Sequence, residues 1–283
     1  MNQLTIAICF IVFLLLFTGV GISSATQKSN TTQDYLVASR NVNPWLMALS
    51  SFATAHSGFM FIGLIGWTYT SGISASWLML GWFLGDYVTW FFVHNRLRQV
   101  SEDDDAETVG GFLAGKGQKS RAIAALSALI TIVFLGTYAA GQLVAGSKAL
   151  NAIFDWDYSV GIVLGAVVVV AYCFSGGIRA SIWTDAVQSI LMMISMAVLL
   201  VVAVMSCGGI SQLWSQLQSI DPILVDPMPP NLKFGFTLFA ISWFVAGVGV
   251  VGQPHIMIRA MSIDSVKHIG MARNIYAFCY VIF

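Results

Sequence analysis

Residues 49–63 read LSSFATAHSGFMFIG, with Ser50, Ser51, Thr54, His56 and Ser57 nearly consecutive inside a long apolar run. Hydroxyls and main-chain carbonyls are oxygen ligands without formal charge. They can hold a small hard cation such as Na⁺ at membrane depth, where a buried carboxylate would be costly. A helix break near Ala53 would free carbonyls for that purpose. A second stretch, AISWFVAGVGVVGQPHIMIRAM over 240–261, crowds Gly247, Gly249 and Gly252 before Pro254. Paired interrupted helices mark the binding site in transporters built from two halves. The competing explanation is close helix contact: Ala53 with Ser57 and Thr54 with Gly58 are small residues four apart. It accounts for single serines better than for His56, whose imidazole needs a partner at such depth.

Few ionisable groups accompany these stretches. Asp185, in SIWTDAVQ, either stabilises a helix N-terminus or takes part in transport. Asp86, in WFLGDYVTW, lies deeper in its segment and calls for an inward-facing partner. Arg40 and Arg259 border the two interrupted stretches. Anchoring at the membrane surface accounts for both, and gating pairs are the sharper alternative. Tyr138, in FLGTYAAGQ, reads as a packing residue with a hydrogen-bonding tip.

The elements that must position these groups are membrane helices. Of 283 residues, 57% are hydrophobic and 9% charged, against about 25% charged in a soluble domain. A span needs about 20 mostly apolar residues, which predicts helices over 4–23, 44–69, 74–93, 122–150, 158–174, 182–205 and 234–251. An eighth apolar run opens near Ile275 and continues to Phe283. Half a span leaves main-chain groups without partners in lipid, so the expectation is that this is the front part of a longer protein. With the N-terminus outside, the inner connections hold Lys28, Arg40, Arg96, Arg98, Lys116, Lys119, Arg121, Arg179, Arg259, Lys267 and Arg273. The outer ones hold Lys148 and Lys233. Eleven of the 13 basic residues are then inside, as the positive-inside rule requires. No Lys or Arg precedes the first apolar run, so it reads as a retained helix and not a signal peptide.

Other classes lose support. Zero net charge gives no basic patch for nucleic acid. Cys9, Cys173, Cys207 and Cys279 match no zinc or redox spacing and read as small packing residues. The acidic run from Glu102 to Asp105 lacks the Gly-centred spacing of a calcium loop and reads as a solvated face. No nucleophile, base and orienting group occur together, so the chain is not read as an enzyme, and no filter motif suggests a channel.

Six stretches in order along the chain resemble the sodium/solute symporter family, and within it the sodium/proline symporters: DYLVASRNVNPWLMALS, SGFMFIG, SGISASWLMLGW, TYAAGQLVAGSKAL, YCFSGGIRASIWTDAVQ and VVGQPHIMIRAMS. The resemblance implies an all-α polytopic membrane protein with a five-plus-five inverted-repeat core, of which only the first repeat and the start of the second are present. The divisions would be 1–43 for an extra helix and inner loop, 44–205 for the first repeat, and 206–283 for an outer loop and the start of the second. It implies that Ala53 and His56 give main-chain carbonyls to Na⁺, the transported coupling ion, with no organic cofactor. Ser57 and Gly58 would face the solute, Tyr138 and Pro254 would border it, and Arg40, Asp185 and Arg259 would gate or couple. Location in the plasma (inner) membrane follows, with the lipid bilayer, a small solute and a missing C-terminal half as partners.

The sequence also departs from the family pattern. Ala55 stands where proline carriers have an acid, Ala246 and Val250 where they have aromatics, and Ile178 follows the double glycine. Sodium coupling is compatible with these changes, while the identity of the solute as proline, a related amino acid or a carboxylate is left open. Two alternatives stand beside a carrier: a symporter-like sensor domain of a histidine kinase, and a non-transporting fragment.

Overall fold

A computed structural model describes residues 3–27, 29–116, 120–230 and 232–283; Lys28 and Lys119 lie outside the described residues. The chain is built from helices. In order they are α1 (Gln3–Ser24), α2 (Thr32–Val37), α3 (Pro44–Ala55), α4 (Ile65–Ser71), α5 (Ser76–Thr89), α6 (Asn95–Asp103), α7 (Val109–Ala114), α8 (Arg121–Phe154), α9 (Tyr158–Ser206), α10 (Ile210–Ile220), α11 (Gly235–Gly249), α12 (Pro254–Ser262) and α13 (Ile269–Ile282).

Local chemistry starts these helices where the sequence allows. Asn43 caps α3 by accepting from the Trp45 amide, and Pro44 follows at the first helical position, where its missing N–H costs nothing. Asp157 caps α9 through the Ser159 amide. At about 1.5 Å per residue α9 is far longer than one bilayer crossing. It is two helices, split at Gly177 with φ 57° and ψ −144°. A Cβ at that position would meet the Tyr35 carbonyl oxygen at 2.4 Å, so both backbone angle and space demand glycine. The two halves carry the spans expected over 158–174 and 182–205.

Among the described residues, four helical runs are long and apolar enough to cross a membrane: Leu4–Gln27, Arg121–Phe154, Gly176–Ser206 and Gly235–Gly252. Tyr158–Ala171 is a shorter apolar helix. The spans expected over 44–69 and 74–93 are joined differently. Pro44–Ala55 and Met60–Asp103 form one run bent by 53°, and Gly72, at φ 62°, turns the chain between α4 and α5. The helix expected to open near Ile275 begins earlier, at Ile269, because Ser265 starts a 3-10 turn that leads into it.

Two packing zones hold the bundle. In the half bearing residues 94–121, α3, α9, α12 and α13 enclose Met47, Phe52, Ile182, Met261 and Tyr276. The backbone of Val42 bridges α3 to α12: its amide donates to Ser262 O at 3.1 Å and its carbonyl accepts from the Asp264 amide at 3.0 Å. In the second zone, α5 and α11 meet through glycine. A Cβ on Gly85 would lie 2.0 Å from Phe244 O, and one on Gly247 2.1 Å from Trp82 O. Gly247, read from sequence as part of a helix interruption, is thus a close-contact residue inside α11.

Candidate functional site

The first break lies between α3 and α4, at His56 and Ser57 rather than near Ala53. His56 leaves the helical region at φ −92° and ψ 76°. Its amide and its Nδ1 both donate to Phe52 O, at 3.2 and 2.7 Å. The next helical amide, that of Gly58, would reach Thr54 O in an unbroken helix. It donates instead to Gln142 Oε1 of α8 at 2.6 Å. The carbonyls of Ala53, Thr54 and Ala55 therefore end α3 without helical partners. A π-turn over Met60–Leu64 follows, a local widening found frequently at functional sites.

The second break lies between α11 and α12. A 3-10 turn over Val250–Gly252 closes α11, Gln253 is extended at φ −79° and ψ 125°, and Pro254 starts α12. Helix α8 spans both breaks. Tyr138 and Gln142 are one turn apart on the same face of α8. Gln142 holds Gly58, and the Tyr138 ring stacks on His255 at 5.2 Å. Tyr138, Pro254 and His255 line one cavity of about 650 Å³ together with Val109 and Leu113 of α7. Ser57 and Gly58 are not part of its lining. Gly58 marks a close approach: a Cβ there would come within 2.8 Å of both Ala145 Cβ and Gln142 Oε1.

The imidazole of His56 is buried in an aromatic cluster, with ring centroids of Phe52 at 4.1 Å, Phe283 at 4.5 Å and Tyr280 at 4.8 Å. Its Nε2 is buried and has no hydrogen-bond partner among the described residues. Because a carbonyl can only accept, Nδ1 carries the proton in this arrangement.

Nearly two turns before the break on α3, the charged residues assemble. Arg259 Nη2 donates to Asp185 Oδ2 at 2.6 Å, Arg259 Nε to Ser50 Oγ at 2.7 Å, and Ser50 Oγ to Asp185 Oδ2 at 2.8 Å. Arg259 Nη1 also donates to the His255 carbonyl. This cluster ties α3, α9 and α12 together. It commits the Ser50 hydroxyl hydrogen to Asp185 and one of its lone pairs to Arg259. It also gives Asp185 a cationic partner that the sequence did not name.

Arg40 does not join Asp185 and Arg259. Its guanidinium donates to Ser101 Oγ at 3.1 Å, Ser101 O at 2.8 Å and Ala106 O at 3.0 Å. Ala38, Ser39 and Arg40 all have φ near +50°, a left-handed turn costly for residues with a Cβ. Bonds from outside hold it: Ser39 Oγ donates to Asp34 Oδ1 at 2.8 Å, and Arg179 Nη2 to Asp34 Oδ1 and to Ala38 O. Asp86 has the partner its sequence position demanded: the Tyr276 hydroxyl of α13 donates to it, and both side chains are buried.

Gln142 and His255 went unrecognised in the sequence. Gln142 did leave a signal: it is the sole amide or charged side chain between Arg121 and Lys148 of α8. The Gln142–Gly58 contact spans 84 residues, and nothing in the local pattern announces it.

Comparison with known proteins agrees with this architecture. The model of the sodium:solute symporter family matches residues 35–283. The high-affinity proline transporter PutP of Bacillus subtilis (strain 168) is 34% identical over 258 residues, covering 90% of this chain and 54% of that protein. A sodium/proline symporter of Staphylococcus aureus (strain USA300) is 35% identical over 267 residues, covering 93% and 51%. These relatives are transporters, not enzymes, and the chain spans about half their length. A solved structure of a Na⁺-coupled sialic acid symporter, in its substrate-bound outward-open state, superposes with a TM-score of 0.75 at 21% identity, over 96% of this chain and 56% of that one. That likeness bears on the fold. The apolar helices make the chain an integral membrane protein, and by its sequence it belongs to the sodium:solute symporter family.

Proposed function

We propose that this chain forms the leading part of a Na⁺-coupled symporter that imports a small organic solute, proline or a related amino acid or carboxylate, by alternating access. The break at His56 and Ser57, held open by Gln142, carries this reading. It gathers acceptor-only carbonyls where a hard cation can replace its hydration shell, with no formal charge buried beside it. Ala53 and His56 would supply main-chain carbonyls to Na⁺. Ser57 would face the solute beside Gly58, and Tyr138 and Pro254 would border its path. Asp185 and Arg259 would act as an inner gate, with Arg40 fixing the inner loop beside them.

In this reading residues 1–43 are an additional helix and loop, 44–205 the first repeat, and 206–283 an outer connection and the opening of the second. The protein lies in the plasma membrane with its N-terminus outside. The energetics are sufficient. A tenfold Na⁺ gradient is worth about 1.4 kcal/mol and one charge crossing 100 mV about 2.3, so one ion could sustain a neutral solute gradient of roughly 500-fold.

The test is uptake by the full-length protein that contains this chain, in cells lacking their own carriers. Radiolabelled L-proline and a panel of amino and carboxylic acids are offered with Na⁺ or choline. Uptake of one of them that depends on Na⁺, and its loss in Ser57→Trp with membrane insertion intact, is the expected result. Normal uptake kinetics in Ser57→Trp would overturn the site assignment.

A further inference from the structure

The Gly58 amide can only donate, so the Gln142 atom 2.6 Å from it must be the carbonyl Oε1. The other end of the side chain, Nε2, then carries two N–H groups. No partner for them is present among the described residues, and Gln142 is half-buried at the break. With both N–H groups free, Nε2 is open to an acceptor oxygen that a ligand brings. Its surroundings sort by polarity. On the α3 side are the unpartnered carbonyls of Ala53, Thr54 and Ala55, which accept only and suit a cation. On the α8 side is an amide that can offer two donors and suits an oxygen anion.

We propose that Gln142 determines which solute the site accepts: its Oε1 holds the break open, while its Nε2 donates to a carboxylate oxygen of the solute. This rests on the symporter reading above and adds the chemical class of ligand and the residue that selects it. Tyr138, one turn away on α8, would then border the apolar part of the same solute.

Two substitutions separate selection from scaffolding. Gln142→Glu keeps an acceptor for the Gly58 amide, removes the donors and sets a like charge against a carboxylate. Gln142→Ala removes both functions. Uptake is measured with whichever labelled acid of the panel the wild-type full-length protein takes, L-proline first, and the thermal shift caused by Na⁺ is measured on the same purified proteins. Gln142→Glu is expected to keep the Na⁺-induced shift while its KM rises about ten- to a hundredfold, the loss of a hydrogen bond to a charged group, at little change in maximal rate. Gln142→Ala is expected to lose the Na⁺-induced shift as well. If Gln142→Glu keeps the wild-type KM while Gln142→Ala fails, Gln142 is a scaffold only and the proposal is overturned with the symporter reading intact. If the wild-type protein shows no Na⁺-dependent uptake of any acid in the panel, the symporter reading falls and the proposal with it.

Discussion

At the end of the bundle that carries α6 and α12, Arg40, Arg98 and Arg259 are buried, and each guanidinium bonds oxygens from another element. At the break in the middle of the bundle, the bond that crosses from Gly58 to α8 is between two neutral groups, and several polar atoms are left over. A buried charge is costly unless its partners are fixed, so this end is a mount whose parts depend on one another. The break instead keeps carbonyls and an amide in reserve, as the proposed ion and solute site requires. Fixing one end of a broken helix while leaving its middle polar lets the middle exchange partners without unfolding the helix.

The contrast breaks most visibly at Arg259. Replacing it with Ala leaves Asp185 without its cation between α3, α9 and α12, and the expected loss is about 3–5 kcal/mol, read as loss of monodisperse protein in detergent. Arg259→Lys should recover part of the folding and less of the transport, because lysine cannot reach Ser50 and Asp185 with a planar fork. A smaller loss is expected away from both regions. Gly85→Ala sets a Cβ against the Phe244 carbonyl and should cost about 1–3 kcal/mol. Gly249→Ala, whose Cβ would meet nothing within 4 Å, should cost nothing in the same thermal-unfolding assay.

A pH titration sharpens the charged half of the comparison. Burial pushes the Asp34 carboxyl up, but hydrogen bonds from Arg179 and Ser39 and the Arg179 charge outweigh it, and Asp34 ends below the ordinary carboxylate range. A depressed carboxylate contributes stability above its unfolded value and loses it as pH falls through the folded one. The wild-type unfolding midpoint should therefore drop on acidification below about pH 4. Asp34→Asn should start lower at neutral pH and show a flatter acid limb. The smallest effect is expected at Glu102, which pairs with Arg98 at 2.8 Å but is 56% exposed. Glu102→Gln should change stability by no more than about 1 kcal/mol, less at high salt.

Much of this architecture was legible in the sequence because membrane helices announce themselves by length and apolarity. The two interrupted helices were legible for a related reason: serine, glycine and proline stand out inside apolar runs. The location of the first break was not. It falls at His56 and Ser57, where the Gly58 amide crosses to Gln142, and a contact across 84 residues has no local trace. The partners of Ser50 were hidden for the same reason: Asp185 and Arg259 lie 135 and 209 residues away. Asp185 and Arg259 were each conspicuous as charges at the membrane edge, but nothing in their spacing pairs them or excludes Arg40.

The central claim is that the break at His56 and Ser57 binds Na⁺, and its most direct test is chemical access to that position. In the full-length protein with Cys9, Cys173, Cys207 and Cys279 replaced by serine or alanine, Ser57→Cys would be labelled with a small maleimide in membranes held in Na⁺ or in choline at equal ionic strength. The account predicts that Na⁺ changes the labelling rate at residue 57 several-fold, with half-effect at a saturable concentration. Equal rates in the two salts at every concentration would contradict it.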